Sequence, residues 1–218
     1  ATVAAGARGA YLIDEPLAAA IGANVPIAEA SGNMILDIGG GAAEAAVISL
    51  GGVVITRSVR VGGNRIDEAI VDWARRKHNL VIGEQTAEQV KIKIGSAMNY
   101  PDRQAMMVKG RDMVTGMPRE IEMTSGDVTA AISRPIQQIV RMVKDVLEEV
   151  PPELASDIID KGILMSGGSS QLLHLDRLLT QETGVPCHLA EDPMMNVVKG
   201  TGVALEHLDL YRKTLKRR

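Results

Sequence analysis

The stretch from residue 33 to residue 61 constrains the fold more than any other part of this chain. It holds three runs of strand-forming residues, at 33–38, 43–50 and 53–61, and the gaps between them are short and rich in glycine. Turns of this length join neighbouring antiparallel strands. The stretch therefore predicts an antiparallel meander of three strands.

The last third of the chain alternates between short strands and helices. A strand over 162–165 leads through a glycine turn at 166–170 into a helix over 172–182, and a strand over 185–189 precedes a final helix over 196–208. Such alternation is typical of α/β layering, in which helices pack against a sheet.

The segment over 63–124 differs from both flanks because it is richer in charged residues and methionine. Its pattern predicts a first helix, a second helix over 86–94 with Thr86 as its N-cap, and two strands on either side of residues 115–116. We interpret it as a small subdomain inserted between the meander and the helix that follows.

A long amphipathic helix is predicted over 125–150, where apolar residues recur at helical spacing. Pro135 lies inside it and is predicted to kink or restart it, because proline removes one backbone hydrogen bond and its ring crowds the preceding turn. Pro151 and Pro152 are predicted to end the helix.

The composition is that of an ordinary folded protein, since 45% of the 218 residues are hydrophobic and 23% are charged. These values exclude a disordered tail and a collagen-like fibre. No stretch approaches the ~18 consecutive apolar residues of a membrane-spanning helix. Cys187 is the only cysteine in the sequence, so an internal disulfide and a cysteine-based zinc site are both excluded. A single cysteine fits a reducing cytosol.

The formal net charge of −3 produces no overall field that would attract nucleic acid, so nucleic acid is not expected as a partner. A cluster of basic residues near the C-terminus is interpreted as a solvated end, with an anionic membrane surface or an acidic partner as the alternative. These residues are Arg212, Lys213, Lys216, Arg217 and Arg218.

Two glycine-rich turns are candidates for binding an anion or a nucleotide. Gly39, Gly40 and Gly41 follow Asp37 at the end of the first meander strand. Successive glycines let backbone N–H groups converge on an oxyanion, because no Cβ blocks the approach or a positive φ, and Asp37 can hold a hydrated Mg²⁺ through water. The turn over 166–169 opens a helix, which suits an anion or a nucleoside. Each turn taken alone is also explained as a simple tight turn without a ligand. These residues therefore leave two interpretations open, a structural turn and a nucleotide-binding loop.

Several longer motifs occur in the order found in one family of bacterial actin homologues. They are Leu12-Ile13-Asp14-Glu15-Pro16-Leu17-Ala18-Ala19-Ala20-Ile21-Gly22, Leu36-Asp37-Ile38-Gly39-Gly40-Gly41, Thr86-Ala87-Glu88-Gln89-Val90-Lys91, Gly110-Arg111-Asp112, Gly116-Met117-Pro118-Arg119, Pro151-Pro152-Glu153-Leu154-Ala155-Ser156-Asp157-Ile158 and Met165-Ser166-Gly167-Gly168. On these motifs the chain resembles the MreB family from about residue 6 to its end. The first motif and the Pro-Pro-Glu-Leu segment are specific to that family among actin-like ATPases.

The resemblance implies an α/β fold of the actin-like ATPase (ribonuclease H-like) class, in which two lobes hold ATP and Mg²⁺ between them. It also implies paired protofilaments in the cytoplasm under the membrane, with further copies of the chain, cell-wall elongation proteins and a membrane-anchored adaptor as partners. The first-lobe Asp-Leu-Gly-Thr loop of such proteins has no match here, and the chain does not begin with Met. We therefore expect a second lobe whose missing N-terminal portion carries the family's membrane-inserting element.

The resemblance also implies a division of the chain into subdomains. Residues 1–30 are expected at the edge of the first lobe. Residues 31–62 and 125–195 are expected to form the core subdomain of the second lobe, with 63–124 as the inserted small α/β subdomain. Residues 196–218 are expected to form a C-terminal helix that returns to the first lobe.

The family's functional residues can be carried over position by position. Glu15 matches the carboxylate that activates the attacking water, Asp37 matches the residue that binds Mg²⁺ through water, and Glu88 is expected to accept the ribose hydroxyls. The cofactor-binding residues implied by the resemblance are Asp37, Gly39, Gly40, Gly41, Ala87, Glu88, Gln89, Val90, Lys91, Gly167, Gly168, Ser169 and Ser170. Simpler interpretations stay open: Glu15 can interact with its helix dipole, and Glu88 can pair with Lys91 on the surface.

Two departures from the family pattern bear on catalysis. The family usually has two threonines after the triple glycine, and the first hydroxyl helps to place the attacking water, whereas this chain has Ala42 and Ala43. Removing one positioned polar group lowers the rate by ~10²–10³ in comparable sites. In the second turn Ser169 replaces a glycine, and its Cβ is expected to crowd the nucleoside if that position requires a positive φ.

The sequence therefore predicts a cytoskeletal actin-like protein that forms ATP-dependent filaments, organises cell-wall synthesis and maintains rod shape. Its ATP hydrolysis requires a first lobe and is weakened by Ala42. The alternative is a nucleotide-binding scaffold with little or no hydrolysis. A relative of sugar kinases or exopolyphosphatases is a third interpretation, which the absence of a substrate motif and the Pro-Pro-Glu-Leu segment oppose.

Overall fold

A computed structural model describes residues 2–101 and 104–211, together with the backbone of residues 216–217. The basic C-terminal cluster, which was predicted to be a solvated end, lies outside the described residues apart from that short stretch of backbone. Within the described part, no helix is both long enough and apolar enough to cross a membrane.

Strands and helices alternate along most of the chain. The strands are β1 (Tyr11–Leu12), β2 (Asn33–Ile38), β3 (Ala43–Ser49), β4 (Gly52–Val59), β5 (Leu80–Val81), β6 (Ala105–Asp112), β7 (Pro118–Thr124), β8 (Ile163–Ser166), β9 (Cys187–Leu189) and β10 (Lys216–Arg217). The α-helices are α1 (Glu15–Gly22), α2 (Gly63–His78), α3 (Glu84–Ile94), α4 (Ser125–Glu149), α5 (Pro152–Lys161), α6 (Leu175–Thr183), α7 (Asn196–Glu206) and α8 (Leu208–Tyr211). A 3₁₀ helix over Gly168–Gln171 precedes α6.

A five-stranded sheet in the order β4-β3-β2-β8-β9 forms the centre of the fold. The first three of these strands are antiparallel, which confirms the predicted meander, whereas β8 and β9 run parallel to β2. In this register Asp37 at the end of β2 lies opposite Glu44 on β3 and opposite Ser166 on β8. The sheet thus brings one carboxylate of the predicted site beside a second one from the neighbouring strand.

The two faces of this sheet are covered by different helices. Every residue of β2 is buried, and its side chains alternate between the faces. Leu36 and Ile38 belong to the larger core with the apolar stripe of α4, whereas Ile35 belongs to a second core with α1 and Ala204 of α7. By the same alternation Asp37 lies on the side of α1. The result is the α/β layering that the sequence predicts.

Helices α1 and α7 cross at very short distance because both have glycine at the crossing. A Cβ placed on Gly22 would lie 1.9 Å from the Asn196 carbonyl oxygen, and one placed on Gly200 would lie 1.8 Å from the Ala18 carbonyl oxygen. Gly22 is also the last residue of α1, and glycine is common at helix ends. The crossing adds a packing reason for that glycine.

Helix α4 runs without interruption through Pro135, so the prediction that the helix restarts there is wrong. Pro135 is buried, and its neighbours Ile132, Ile136 and Ile139 all pack into the larger core. This burial outweighs the loss of one backbone hydrogen bond, since each such side chain contributes roughly 1.5–3 kcal/mol when fully buried.

Three helix boundaries differ from the prediction. Helix α3 begins at Glu84 after Gly83, so Thr86 is not its N-cap, and α6 begins at Leu175 after the 3₁₀ helix. Pro152 does more than end α4, because it is the first residue of α5, a helix that the sequence analysis missed. Proline is favoured at that position, where its missing N–H has no helical partner.

The predicted insertion contains its own three-stranded sheet, in the order β5-β6-β7, together with α2 and α3. It is joined to the rest of the fold near Ser96, whose Oγ lies 3.1 Å from His174 Nδ1, and the amide of Ala97 donates to the Leu173 carbonyl. The division of the chain into first-lobe and second-lobe parts stays a prediction.

Candidate functional site

The first glycine turn, over residues 39–41, closes the β2–β3 hairpin, and the Gly39 amide donates to the Ala42 carbonyl at 3.0 Å. None of its three glycines has a positive φ, so the expectation that they supply left-handed backbone is wrong. These glycines instead leave open space beside the turn. A Cβ on Gly41 would meet nothing within 4 Å, and one on Gly40 would approach only Asn64 Oδ1, at 3.3 Å. The turn therefore presents bare backbone to an open region.

The second glycine turn packs directly on the first. Gly167 has a φ of +85°, and a Cβ there would lie 2.4 Å from the Ile38 carbonyl oxygen. Ser169 lies in the right-handed 3₁₀ helix, so the concern that it needs a positive φ does not arise. Its Oγ instead donates to the Gly39 carbonyl at 2.9 Å and joins the two turns.

A third glycine site, the pair Gly62 and Gly63, completes this arrangement, and the sequence analysis did not single it out. The amides of Gly63 and Asn64 donate to the carbonyls of Gly39 and Gly40, at 3.0 and 2.8 Å. A Cβ on Gly62 would lie 2.5 Å from the Gly39 carbonyl oxygen. The available signal was a Gly-Gly pair between a strand and a helix, which often marks close backbone approach.

The predicted nucleoside-side residues of α3 divide into two groups. Ala87 and Val90 are fully buried in the larger core, whereas Glu88 and Gln89 are exposed. Only the exposed pair therefore presents side chains outside the core.

Lys91 pairs with a residue that the sequence analysis did not single out. Its Nζ lies 2.9 Å from Asp67 Oδ2, both side chains are largely buried, and Nζ also contacts the Gly63 carbonyl at 3.4 Å. The suggested surface pair between Glu88 and Lys91 is therefore replaced by a buried one. Burial raises the pKa of Asp67, and Lys91 opposes that rise.

Three carboxylates face one another on the α1 side of the sheet. Asp37 is 4% exposed, and its Oδ1 has no hydrogen-bond partner. Burial raises its pKa, a hydrogen bond with Ser166 opposes the rise, and the charge of Glu15 adds to it. The pKa of Glu44 is raised by burial and then by the charges of Glu15, Asp37 and Asp14. Like charges opposite each other in a sheet are unfavourable, so this arrangement favours a bound cation.

The residues present fit a hydrated Mg²⁺. Mg²⁺ prefers oxygen ligands, keeps several waters and is commonly held through one or two carboxylates plus phosphate oxygens. Asp37 offers a buried carboxylate oxygen with no other partner. Among the described residues no group of three or more His, Cys, Asp or Glu side chains is placed to hold a metal directly. Glu44 is a second acid here that the sequence analysis missed, although strand alternation places it beside Asp37.

The two alanines after the glycine turn occupy different surroundings. Ala43 is fully buried in the core under α4, whereas Ala42 is half-buried beside the turn. Only position 42 is therefore available to a group bound at the turn.

Comparison with known proteins gives a consistent result. The sequence profile of the MreB/Mbl protein family matches residues 1–213. The cell shape-determining protein MreB of Escherichia coli (strain K12) is 49% identical over 207 residues, which cover 95% of this chain and 60% of that protein. The cell shape-determining protein Mbl of Bacillus subtilis (strain 168) is 43% identical over 208 residues, which cover 95% and 62%.

A solved structure agrees with these relatives. MreB5 of Spiroplasma citri bound to AMPPNP superposes with a TM-score of 0.86 at 34% identity, covering 92% of this chain and 60% of that one. The chain thus spans about 60% of the length of the relatives that it matches. The match to the family profile over nearly all of the sequence, on an actin-like α/β fold, shows that the chain belongs to the MreB/Mbl family.

Proposed function

We propose that this chain is the nucleotide-binding second lobe of an actin-like cytoskeletal protein that determines cell shape through ATP-dependent filaments. The observation that carries the proposal is the packing of three glycine turns around residues 39–41, beside a buried carboxylate with a free oxygen. Support also comes from the relatives named as cell shape-determining proteins and from the AMPPNP bound to MreB5.

In the proposed site the backbone amides of Gly40 and Gly41 bind phosphate oxygens, which the open space at Gly41 permits, whereas the Gly39 amide closes the hairpin by donating to Ala42. Asp37 holds Mg²⁺ through water, and the bound ion would neutralise phosphate charge. Ser169 and the amides of Gly63 and Asn64 fix the carbonyls of the turn, so that its amides stay directed toward the ligand. Glu88 and Gln89 are the exposed side chains that contact the nucleoside.

Glu15 is the proposed acceptor of the proton from the attacking water. It is exposed at the first position of α1 and lies close enough to Asp37 and Glu44 to raise the pKa of both. Hydrolysis of this kind depends mainly on placing the water, because positioning is the chief contribution of the protein to phosphoryl transfer. Ala42 has no hydroxyl for that task, so slow turnover is expected.

The remaining parts of the proposal concern the whole protein. We propose that copies of it assemble into filaments, that it is cytoplasmic and associates with the membrane through a first lobe, and that cell-wall elongation proteins and a membrane-anchored adaptor are its partners. The names of the relatives as cell shape-determining proteins support this role.

The proposal can be tested by titrating the chain with MgATP. We expect a dissociation constant no tighter than ~10 µM, because the proposed second lobe contacts the phosphates from one side and supplies only part of the ~8 kcal/mol of micromolar binding. Gly41→Ala should weaken binding at least about tenfold, because its methyl group enters the space taken by phosphate. Gly202→Ala, also in open space, is the matched control. Nanomolar affinity contradicts a missing lobe, and equal affinities of the two variants contradict the phosphate site.

A second candidate function rests on Ala42: a scaffold that binds nucleotide but hydrolyses little or none of it. Steady-state phosphate release by the complete protein separates the two. Ala42→Thr should raise turnover with nearly unchanged nucleotide affinity, and adding Glu15→Ala should abolish the gain. If Ala42→Thr leaves turnover unchanged, position 42 does not face the attacking water, and the catalytic assignment of this turn is wrong.

A further inference from the structure

A groove with a volume of about 650 Å³ lies between β4 and α4. The residues that line it are Arg57, Ser58, Val59, Arg134, Gln137, Gln138, Arg141, Met142 and Asp145. Arg57 lies opposite Ala45, whose side chain belongs to the core under α4. The groove is therefore on the opposite face of the sheet from Asp37 and Glu44, and the proposed nucleotide site does not use it.

Three arginines converge on this groove in a chain whose net charge is −3. Arg57 binds Glu149 through both carboxylate oxygens, at 2.6 and 2.5 Å, and Arg141 pairs with Asp145 at 2.8 Å. Arg134 is exposed and has no ion pair or hydrogen bond within the described part of the chain. The lining thus contains one free guanidinium and two that acidic residues hold in place.

The surroundings of these cations suit a peptide. Gln137 and Gln138 follow Arg134 on α4 and are exposed, so their amide groups can bond to the backbone of a bound chain. Met142 is buried and Val59 half-buried, and together they supply an apolar patch in the lining. Strand β4 is the edge of the five-stranded sheet, which is where extended peptides commonly bind.

We propose that this groove binds a short acidic segment of a partner protein. Arginine binds carboxylates through two parallel hydrogen bonds, and Arg134 has all of its donors available for that purpose. The interspersed acids argue against a continuous polyanion. Asp145 and Glu149 would repel a nucleic acid backbone or an anionic bilayer, whereas a peptide can place its carboxylates between them. The proposal does not depend on the proposed nucleotide site.

The test is fluorescence anisotropy with a labelled decapeptide of glutamate and leucine, and with a lysine–leucine decapeptide as its charge-reversed control. The native chain should bind the acidic peptide saturably and the basic one not at all. Arg134→Glu should weaken binding at least about tenfold, and Arg134→Lys should restore part of it, because lysine keeps the charge but lacks the planar fork. Arg134 has no internal partner, so neither variant should lower the melting temperature.

Arg177→Glu is the matched control, because Arg177 is an exposed helical arginine on α6, outside the groove. Equal losses in Arg134→Glu and Arg177→Glu would show attraction by overall charge and overturn the proposal. The proposal would also be overturned if the peptide fails to bind while phosphatidylglycerol vesicles or single-stranded DNA bind and Arg134→Glu weakens that binding. A change in self-association of Arg134→Glu without peptide binding would assign the groove to contacts between copies instead.

Discussion

The two faces of the five-stranded sheet are packed in opposite ways. On one face α4 contributes bulky aliphatic side chains to a large continuous core, among them Ile136, Ile139 and Val143. On the other face small residues let α1 and α7 approach closely. At their crossing there is no room for a Cβ at either glycine. Side-chain bulk sets the distance between α4 and the sheet, whereas the absence of side chains sets the distance between α1 and α7.

The two faces therefore have different roles: one contributes mainly to the stability of the fold, and the other carries the candidate site. The α4 face is apolar, whereas the α1 face carries Glu15, Asp37 and Glu44 at one end. Helix α1 packs on this face through Leu17 and Ile21, and Glu15 at its first position interacts electrostatically with the other two carboxylates. The face with the mutually repelling carboxylates is therefore also the face that carries a pair of helices in direct backbone contact.

The largest effect is expected on the α4 face. Ile139→Ala should lower the free energy of unfolding by about 2–5 kcal/mol, because the residue is fully buried and its removal leaves a cavity. Its exposed neighbour Gln138 is the control, and Gln138→Ala should stay within about 0.5 kcal/mol. Urea denaturation monitored by circular dichroism measures both. If Ile139→Ala lowers the free energy of unfolding by less than about 1 kcal/mol, bulky side chains do not set the packing distance of α4 on the sheet.

A somewhat smaller loss is expected at the helix crossing. Gly200→Ala should destabilise the fold by about 2–3 kcal/mol, because its methyl group meets the Ala18 carbonyl and forces α1 and α7 apart. Gly202→Ala lies two residues further along the same helix in open space, and should gain up to about 1 kcal/mol from helix propensity. Similar melting temperatures for the two variants would break the proposed distinction between the faces.

The smallest effect concerns the carboxylates and has a definite sign. The pKa of Asp37 is raised in the folded protein, so folding favours its protonated form, and stability falls as pH rises above the ordinary value of 3.8. Asp37→Asn should therefore raise the free energy of unfolding at neutral pH by an amount of the order of 1 kcal/mol, and the melting temperature should rise with it. The gain should vanish in acid below the ordinary carboxyl range. Thermal unfolding at a series of pH values without nucleotide measures it.

Asp112 provides a control of opposite sign. Its Oδ1 accepts from the amides of Val114 and Thr115, and its Oδ2 accepts from Arg119. These contacts hold the pKa of Asp112 far below 3.8, so its contribution is present above that value and is lost only as pH falls through the lowered pKa. Asp112→Asn should lower the melting temperature at neutral pH. If both variants shift it in the same direction, the charge conflict at Asp37 is not real.

Local sequence signals determined much of the fold. Alternating apolar residues and short glycine turns correctly located β2, β3 and β4, because hydrophobic spacing and turn length act over a few residues. The motif around Glu15 and the Pro-Pro-Glu-Leu segment, in order with the motifs at Asp37 and the glycine turns, identified the family correctly. The same local view predicted a kink or restart at Pro135, although the helix continues through that buried residue, and it placed the end of α4 before Pro151 and Pro152 correctly but missed that Pro152 begins α5.

The tertiary structure decided which distant residues meet at the candidate site. Ser169 bonds to Gly39 across 130 positions, and Lys91 pairs with Asp67 across 24. Neither contact has a sequence signature, because a hydrogen bond between distant residues depends on how whole elements pack. The glycines at 39–41 show the same division: the sequence determined that the turn has no side chains, and only the fold decided that this creates open space rather than left-handed backbone.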